Sequence, residues 1–208
     1  YAQRVADQCR DAVIITVPQG EASKSFKILE TVLKQMLDFH MGRGDLVVAV
    51  GGGVVGDLAG FAASIYMRGI DFINCPTTTL SMIDSSIGGK TAVDLGDTKN
   101  IVGAFWQPKL VIVDPDTLAT LPRRHYINGL AEAVKASLLA DPELFAIFEK
   151  GDIDGQINEI IYRSLRFKKN IVEQDEQEHG MRKALNFGHT IGHGIEAVKG
   201  IKGRRTVG

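Results

Sequence analysis

Residues 45–64 read Asp-Leu-Val-Val-Ala-Val-Gly-Gly-Gly-Val-Val-Gly-Asp-Leu-Ala-Gly-Phe-Ala-Ala-Ser, and this stretch decides the fold. Its apolar run at 46–50 is short and unbroken, as in a strand that is buried on both faces. Three glycines then predict a sharp turn, and the apolar residues after Val54 recur at helical spacing. The stretch therefore predicts a strand, a glycine turn and a helix in succession.

The glycine turn admits two explanations. A Gly-rich turn between a strand and a helix exposes backbone N–H groups at the positive end of the helix dipole, which suits a phosphate. Alternatively, the glycines only allow the strand and the helix to pack closely. Because glycines 51–53 together with Gly56 exceed what a turn needs, we expect a phosphate site. The spacing differs from the G-x-G-x-x-G fingerprint, so the motif alone is weak support.

The remainder of the first half predicts further strands and helices. The predicted strands lie at 12–17, 46–50, 70–75 and 110–113. Ser25 can cap a helix in which one face carries Phe26, Leu29, Val32, Leu33, Met36 and Leu37. A short helix is expected to end at Ser86, and 87–103 reads as a Gly-rich, polar segment. Strands that alternate with helices indicate a parallel sheet with helices packed on it.

The second half has a different pattern. Three long helical patterns follow at about 126–150, 153–175 and 181–198, with no strand candidate among them. Pro142 directly follows Asp141, which predicts a new helix with proline in its first turn. We therefore expect an α/β domain over 1–117 and an all-helical domain over 118–208. A cleft between two such domains would be a natural ligand site.

Composition and charge exclude several classes of protein. The chain has 208 residues and a formal net charge of −1, so no overall field favours nucleic acid or an anionic membrane. No apolar run approaches the length of a membrane span, and the first residues contain no signal-peptide core. Cys9 and Cys75 lie far apart in the sequence, which fits reduced, packed thiols in a cytoplasmic protein.

The last helical pattern carries the most informative polar residues. Their spacing of four, three and four residues would place all of them on one face of a helix, namely Arg182, Asn186, His189 and His193. A solvated polar face would normally consist of Lys and Glu. Glycines at 188 and 192 cost a helix about 1 kcal/mol each relative to alanine, and they allow something to approach closely. We therefore expect a functional site on this face.

Several arrangements of these residues could bind a metal. His189 and His193 are spaced as in zinc proteases, but those enzymes need a Glu directly after the first His, and residue 190 is Thr. A single His with a carboxylate from another helix is the alternative. Glu132 is the best candidate for that carboxylate because small and apolar residues surround it. Taken alone, a Glu such as Glu132 is more often an ordinary residue of a helix surface.

The lysines taken alone give weaker indications. Lys135 could form an ion pair with Glu132 one turn away, worth a few tenths of a kcal/mol, and Lys168 and Lys169 read as a solvated face. Lys90 lies in Ser-Ser-Ile-Gly-Gly-Lys-Thr at 85–91, which resembles part of a phosphate loop. The segment lacks the Walker spacing, so we reject a nucleoside triphosphatase.

Six segments together closely resemble the 3-dehydroquinate synthases, sugar-phosphate cyclases of the shikimate pathway. They are Gly-Gly-Gly-Val-Val-Gly-Asp at 51–57, Pro-Thr-Thr-Thr-Leu at 76–80, Asp-Ser-Ser-Ile-Gly-Gly-Lys-Thr at 84–91, Lys-Asn at 99–100, Gly-Leu-Ala-Glu-Ala-Val-Lys at 129–135 and Leu-Asn-Phe-Gly-His-Thr-Ile-Gly-His at 185–193. They follow one another in the family's order through nearly the whole chain. The resemblance implies a Rossmann-like parallel-sheet domain that binds NAD+, followed by an all-helical domain that binds metal and substrate.

The resemblance also implies a reaction. Members of the family convert 3-deoxy-arabino-heptulosonate 7-phosphate to 3-dehydroquinate and phosphate, with NAD+ and a divalent metal, usually Zn²⁺ and in some cases Co²⁺. One substrate hydroxyl is oxidised by NAD+, phosphate is eliminated, the ketone is reduced again, and the opened product closes by an aldol step. Because NAD+ is regenerated in each turnover, such a protein is a lyase rather than a dehydrogenase. The resemblance also implies a cytoplasmic enzyme of aromatic amino acid biosynthesis.

Individual residues match the family's site by position. The family's NAD+ contacts are matched by Glu21, Lys24, Gly53, Val54, Val55, Gly56, Asp57, Thr77, Thr78, Lys99, Thr117, Leu118, Ala119 and Thr120. Two metal ligands are matched by Glu132 and His189. The polar lining of the substrate pocket is matched by Asp84, Lys90, Asn100, Lys135, Lys168, Arg182, Asn186 and His193. Arg68 matches an arginine that reaches into a neighbouring subunit's site, which implies a homodimer. A substrate with a carboxylate and a phosphate needs several such cations, and a metal lowers the hydroxyl's pKa.

The chain also departs from the family pattern. Family members are longer at both ends, and no histidine after His193 matches the family's third metal ligand. We therefore expect a truncated chain with little or no cyclase activity. The alternatives are a related cyclase for another sugar phosphate, a metal-dependent polyol dehydrogenase, and an inactive nucleotide-binding fragment. Lys168, Arg182 and Asn186 favour an acidic substrate, and the cluster of Lys90, Lys99 and Asn100 disfavours a neutral polyol.

Overall fold

The computed structural model describes residues 1–188. The chain divides into two compact units. The sheet unit comprises Tyr1–Thr78 and Ser85–Ala119, and the helical unit comprises Thr79–Asp84 and the chain from Thr120 onward. The strands are β1 (Leu46–Gly51), β2 (Asp71–Pro76), β3 (Lys90–Leu95), β4 (Thr98–Phe105) and β5 (Leu110–Val111). The α-helices are α1 (Ala2–Ala6), α2 (Phe26–Asp38), α3 (Gly53–Ile65), α4 (Arg123–Ala140), α5 (Pro142–Lys150) and α6 (Ile157–Gln174).

A three-stranded parallel sheet forms the centre of the sheet unit. Its strand order is β1-β2-β5, with β1 and β2 in register from Leu46 opposite Asp71 to Gly51 opposite Pro76. Helix α3 connects β1 to β2, and it packs on both strands and on β3. The predicted succession of strand, glycine turn and helix is confirmed, as is the predicted α/β chain with a parallel sheet.

The core of this unit is built from one face of each helix. Ser25 caps α2 as predicted, since its side chain accepts the N–H of Ile28. The buried members of the core are Leu29, Val32, Met36, Leu58, Phe61, Ala62, Ala63, Ile70, Phe72 and Val93. Each large apolar side chain that is buried in this way stabilises the unit by about 1.5–3 kcal/mol. Phe26 and Leu37 of the predicted apolar face are exposed instead.

The predicted strand at 12–17 is absent. The segment carries no strand assignment, and Val13 and Ile14 are 53% and 40% exposed. Ile15 and Val17 pack partly against the core. The apolar composition therefore indicated core contacts correctly, but a strand also needs a hydrogen-bonded neighbour. Neither sheet within residues 1–188 pairs with this segment.

Residues 87–103, predicted only as a Gly-rich polar segment, contain most of an antiparallel hairpin. Strand β3 pairs with β4, and Thr91 and Val93 of β3 are buried. The turn uses Gly96 at φ +60°, a conformation that glycine adopts without steric cost. A register shift between Val93 and Leu95 leaves Asp94 at a bulge.

Three α-helices make up most of the described helical unit. Asp141 caps α5 by accepting the N–H of Leu144 at 2.9 Å, and Pro142 lies in the first turn as predicted. Gly129 of α4 contacts the segment at 79–80, because a Cβ at Gly129 would lie 2.3 Å from the backbone nitrogen of Leu80. None of the helices in the described range is both long and apolar enough to cross a membrane.

The predicted helix at 181–198 is wrong in its described part. Met181–Asn186 forms a 3₁₀ helix, and Phe187 leaves the helical conformation with ψ 126°. Gly188 follows at φ +85°, a left-handed conformation that ends helices. The helical spacing of apolar residues did not reveal this break. The remainder of the predicted helix, with His189 and His193, lies outside the described residues.

Candidate functional site

The glycine turn joins the end of β1 to the start of α3. The N–H groups of Val55 and Gly56 both donate to the carbonyl oxygen of Gly52, at 3.0 and 3.1 Å. Helix geometry therefore leaves the N–H groups of Gly53 and Val54 without an intrahelical acceptor. Such N–H groups at the positive end of a helix are suited to bind an anion.

Each glycine of the turn also has a packing role. A Cβ would lie 2.6 Å from Val55 Cγ2 if placed on Gly51, and 2.9 Å from Thr78 Cγ2 if placed on Gly52. A Cβ on Gly53 would lie 2.9 Å from the Oγ of Ser85. The number of glycines therefore does not by itself indicate a phosphate site, because close packing accounts for all three.

Ser85 supplies independent evidence for a ligand at this turn. Its Oγ is buried, and it has no hydrogen-bond partner in the described part of the chain. A buried hydroxyl without a partner costs about 1–3 kcal/mol, so a ligand or a water is expected to satisfy it. Ser85 thus adds a hydroxyl donor beside the N–H groups of Gly53 and Val54, and these groups fit the diphosphate of a dinucleotide.

Lys24 connects three other predicted site residues. Its ammonium donates to Asp57 Oδ2 at 2.7 Å and to the side-chain oxygen of Asn100, and it lies 3.9 Å from Glu21. Lys24 is only 4% exposed, so its charge depends on these acceptors. The structure therefore brings the predicted NAD+ contacts Glu21, Lys24 and Asp57 together with Asn100.

Asp94, which the sequence reasoning missed, holds this cluster through the backbone. Its Oδ1 accepts the N–H of Asn100 at 2.8 Å, and its own N–H donates to the carbonyl oxygen of Lys24 at 2.8 Å. Asn100 has φ +54°, an uncommon conformation for a residue with a side chain. Asp94 therefore holds Asn100, the residue with the uncommon φ angle, next to the segment that carries Lys24.

The other predicted NAD+ contacts lie in different surroundings. Thr77 follows β2, and its N–H donates to the carbonyl oxygen of Gly51 at 2.8 Å, so it lies beside the glycine turn with Thr78. Thr117 and Leu118 are buried in the 3₁₀ helix Pro115–Thr120, where the Thr117 hydroxyl donates to the carbonyl oxygen of Asp114. Ala119, Thr120 and Lys99 are exposed.

A small pocket of the sheet unit lies at the first turns of α3, which contribute Gly56 and Asp57 to its lining. Lys90 and Asp57 line it together with Asn74, Ser85 and Ser86. Asn74 and Ser86 are 7% and 2% exposed, and the Ser86 hydroxyl has no partner in the described residues. The sequence reasoning missed Asn74, although an Asn within an otherwise apolar strand was a usable signal.

Two ion pairs of the helical unit, Lys168 with Asp84 and Lys135 with Glu132, line one small pocket. Lys168 lies 2.8 Å from Asp84 Oδ1 and also donates to the Asp84 carbonyl oxygen at 2.5 Å. Lys135 pairs with Glu132 and donates to the carbonyl oxygen of Leu185 at 2.6 Å. The cavity thus carries two ammonium groups and two carboxylates.

Burial corrects two of the simpler predictions for these residues. Lys168 is 8% exposed, so the predicted solvated face is wrong for this lysine, because its ammonium turns inward to Asp84. The same prediction is confirmed for Lys169, which is 63% exposed and pairs with Glu173. Glu132 is 7% exposed, which excludes an ordinary surface position.

The described residues do not form a metal site by themselves. No group of three or more His, Cys, Asp and Glu side chains within residues 1–188 could hold a metal ion. Glu132 is the one predicted ligand in this range, and its carboxylate contacts Lys135. His189, the other predicted ligand, lies outside the described residues.

Arg182 and Asn186 follow α6 rather than sharing an α-helical face. Arg182 is 2% exposed, and its guanidinium donates to the carbonyl oxygen of Glu176. Burial lowers the pKa of Arg182, while Glu178 and Asp84 oppose that shift. Asn186 is exposed and donates to Glu178 Oε1 at 2.7 Å. Arg68 is exposed on the turn after α3, at φ +70°.

Sequence comparisons match the chain to one family along nearly its whole length. The profile "3-dehydroquinate synthase N-terminal" matches residues 14–128, and "3-dehydroquinate synthase C-terminal" matches residues 129–205. A 3-dehydroquinate synthase of Clostridium perfringens is 49% identical over 189 residues, which are 89% of this chain and 54% of that protein. Another from Thermodesulfovibrio yellowstonii is 45% identical over 211 residues, covering 96% and 58%. The chain spans about half the length of these relatives.

Solved structures of related cyclases share the fold. A 2-epi-5-epi-valiolone synthase from Streptomyces hygroscopicus, with NAD+ and Zn²⁺ bound, matches with a TM-score of 0.82 and 33% identity over 86% of this chain and 52% of that one. A 2-deoxy-scyllo-inosose synthase in complex with carbaglucose-6-phosphate, NAD+ and Co²⁺ matches with a TM-score of 0.79 and 31% identity over 88% and 52%. Taken with the family profiles, these matches show that the chain belongs to the 3-dehydroquinate synthase family.

Proposed function

We propose that this chain carries the NAD+-binding residues and part of the substrate-binding residues of a 3-dehydroquinate synthase. The observation that carries the proposal is the pair of lysines, Lys135 and Lys168, which line one small pocket of the helical unit with 12% and 10% of their side chains exposed. Two such ammonium groups suit a substrate that bears a carboxylate and a phosphate. The identity of 49% to a curated 3-dehydroquinate synthase supports the same substrate class.

The sheet unit would hold the cofactor. The N–H groups of Gly53 and Val54 and the hydroxyl of Ser85 would bind the diphosphate of NAD+, and Asp57 would lie beside it on the first turns of α3. Bound NAD+ supplies a reversible hydride acceptor. Lys24 keeps Asp57 and Asn100 in fixed positions, so the unit would present an ordered polar surface to the cofactor.

The helical unit would hold the substrate by exchange of ion-pair partners. Lys168 and Lys135 are each paired with a carboxylate, Asp84 and Glu132 respectively. An incoming phosphate or carboxylate would compete for the ammonium groups, and the protein's own carboxylates keep the charge of the empty cavity balanced. A neutral polyol offers no negative charge to replace these carboxylates, so the resulting anion site would disfavour it.

The related cyclases with bound Zn²⁺ and Co²⁺ support a divalent cation in this protein as well. Glu132 and His189 are the residues that would hold it. The Glu132 carboxylate would then exchange its contact with Lys135 for the cation. A homodimer in which Arg68 serves the neighbouring site is part of the proposal, since Arg68 is exposed on its turn. The cytoplasmic location stays a prediction.

Phosphate release without net formation of NADH tests the reaction. Because the chain spans about half of its relatives, the assay compares it with a version extended at both ends to the relatives' length. With NAD+, Zn²⁺ and the seven-carbon keto acid phosphate, we expect the extended version to release phosphate while absorbance at the NADH band stays flat. Lys168→Met should reduce this release. Net accumulation of NADH with a polyol would instead show a dehydrogenase.

A related cyclase is the second candidate, because the two solved structures named above are cyclases of other substrates. Their identities of 33% and 31% are well below the 49% to the curated 3-dehydroquinate synthase. Comparing turnover of the keto acid phosphate with that of glucose 6-phosphate separates the two candidates. Preference for the keto acid phosphate is expected, and preference for glucose 6-phosphate, which lacks the carboxylate, would favour the second candidate.

A further inference from the structure

The segment that follows α6 carries Arg182 and Asn186 without an α-helix to position them. Helix α6 ends at Gln174, and the 3₁₀ helix that contains both residues begins at Met181. Some other feature must therefore define the path of the backbone between these elements. We propose that the Asp175 carboxylate is the positioning residue that directs Arg182 into the helical unit, where it acts in the proposed substrate site.

Three backbone N–H groups converge on this carboxylate. Oδ1 accepts the N–H of His179 at 2.8 Å, and Oδ2 accepts those of Gly180 at 2.7 Å and Arg182 at 2.9 Å. Asp175 is itself fixed to α6, because its N–H donates to the carbonyl oxygen of Ile171 at 3.1 Å. One side chain at the end of a helix thus determines the conformation of the following seven residues.

The chemistry of the contact requires a carboxylate of this length. An ionised carboxylate has two oxygens and about four lone-pair positions, and its hydrogen bonds to N–H groups are charge-assisted. An Asn side chain would keep one acceptor oxygen and present an NH₂ group to the remaining N–H donors. The N–H of Arg182 contributes most to lowering the pKa of Asp175, so the carboxylate is ionised at neutral pH.

The hydrogen bonds to the Asp175 carboxylate set the orientation of Arg182. Its side chain is 2% exposed, and its guanidinium is close enough to Asp84 for an electrostatic effect on its pKa. Asp84 in turn pairs with Lys168 at the cavity. Arg182 is therefore a further cation within electrostatic reach of Asp84, the partner of Lys168, and Asp175 acts on the substrate site only through it. This role rests on the proposed function, whereas the placement of Arg182 does not.

Chemical modification of Arg182 tests the placement directly. The purified chain is treated with phenylglyoxal, and modification of Arg182 is followed by mass spectrometry, with exchange of the Arg182 and His179 amides measured in parallel. Because Asp175→Ala loses all three of these hydrogen bonds, it should raise the modification rate by at least tenfold. Asp175→Asn should give an intermediate rate. Glu173→Ala removes an exposed carboxylate two residues away, and it should leave the rate unchanged.

Circular dichroism confirms that each variant is folded, and Asp175→Asn serves if Asp175→Ala does not fold. The inference is overturned if Arg182 stays as protected in the folded Asp175 variant as in the wild type. Binding of the keto acid phosphate gives the functional readout, with a weaker affinity expected in Asp175→Asn and an unchanged affinity for NAD+. If the wild type binds no keto acid phosphate, the proposed function fails, but the modification rates still decide the role of Asp175.

Discussion

The ammonium of Lys24 lies 2.7 Å from Oδ2 of Asp57, a contact that joins the segment before α2 to the first turns of α3. The same ammonium binds the side chain of Asn100 on β4. Three parts of the sheet unit therefore depend on one buried charge. Because Lys24 is 4% and Asp57 21% exposed, solvent reaches the ion pair mainly from the side of Asp57.

Replacing Lys24 should weaken both stability and cofactor binding. Lys24→Met leaves Asp57 partly buried without its cation, which we expect to cost about 1–3 kcal/mol in the free energy of unfolding. NAD+ affinity should fall as Asn100 and Asp57 lose their common partner. Urea unfolding and calorimetric titration measure the two effects. Lys34→Met is the matched control, because its ion pair with Glu30 is exposed and should matter little.

The acid sensitivity of the helical unit should depend on Asp141. Burial opposes ionisation of this residue, but the N–H of Leu144 and the guanidinium of Arg163 outweigh it, so the pKa of Asp141 is lowered. A carboxyl group whose pKa is lowered on folding contributes stability above its unfolded pKa of about 3.9, and the contribution is lost as the pH falls through the folded pKa. Melting temperatures measured from neutral pH to strongly acidic pH should fall less steeply in Asp141→Asn than in the wild type. Parallel curves for the two proteins would show that Asp141 is not responsible.

Gly129 should not tolerate a side chain. A Cβ there would lie 2.3 Å from the Leu80 nitrogen and 2.6 Å from Thr79 Cβ, and backbone atoms cannot give way cheaply. Gly129→Ala should therefore destabilise the chain, although alanine favours a helix interior by about 1 kcal/mol. Gly44→Ala is the control, since apart from its chain neighbours no atom of residues 1–188 lies within 4 Å of its added Cβ. A stabilised Gly129→Ala variant in thermal unfolding would contradict the packing of α4 on 79–80.

A double substitution separates the two roles of the glycine turn. Gly53→Ala places a Cβ 2.9 Å from Ser85 Oγ, so stability and NAD+ affinity should both decline. Adding Ser85→Ala removes the colliding hydroxyl and should restore the melting temperature. If Gly53 and Ser85 line the cofactor site, NAD+ affinity should stay low in the double variant. Recovery of both properties would mean that the glycine serves packing alone.

The sequence allowed prediction where one segment determines its own structure. The apolar run, glycines and helical spacing at 45–64 predicted β1 and α3, and Asp141-Pro142 predicted the start of α5. Prediction failed where the structure of a segment depends on a partner that is distant in the sequence. The segment at 12–17 has strand-like composition but no neighbour to pair with in the described residues, and the burial of Lys168 depends on Asp84 of another segment.

The residues missed in the candidate site have the same explanation. Asp94 and Asp175 act by accepting backbone N–H groups of Asn100 and of residues 179–182, and such contacts leave no periodic pattern in the sequence. The resemblance to the family identified residues at the positions of ligand contacts. It did not identify Asp94 and Asp175, whose carboxylates hold the backbone of some of those residues. The predicted helix at 181–198 failed in its described part, 181–188, because apolar spacing does not report the left-handed conformation of Gly188.

Calorimetric titration of NAD+ into the purified chain tests the central claim most directly. We predict saturable binding with one site per chain, and weaker binding in Lys24→Met and in the Gly53→Ala, Ser85→Ala double variant. Absence of saturable binding at millimolar NAD+ by the folded chain would contradict the claim, as would an affinity that neither variant alters.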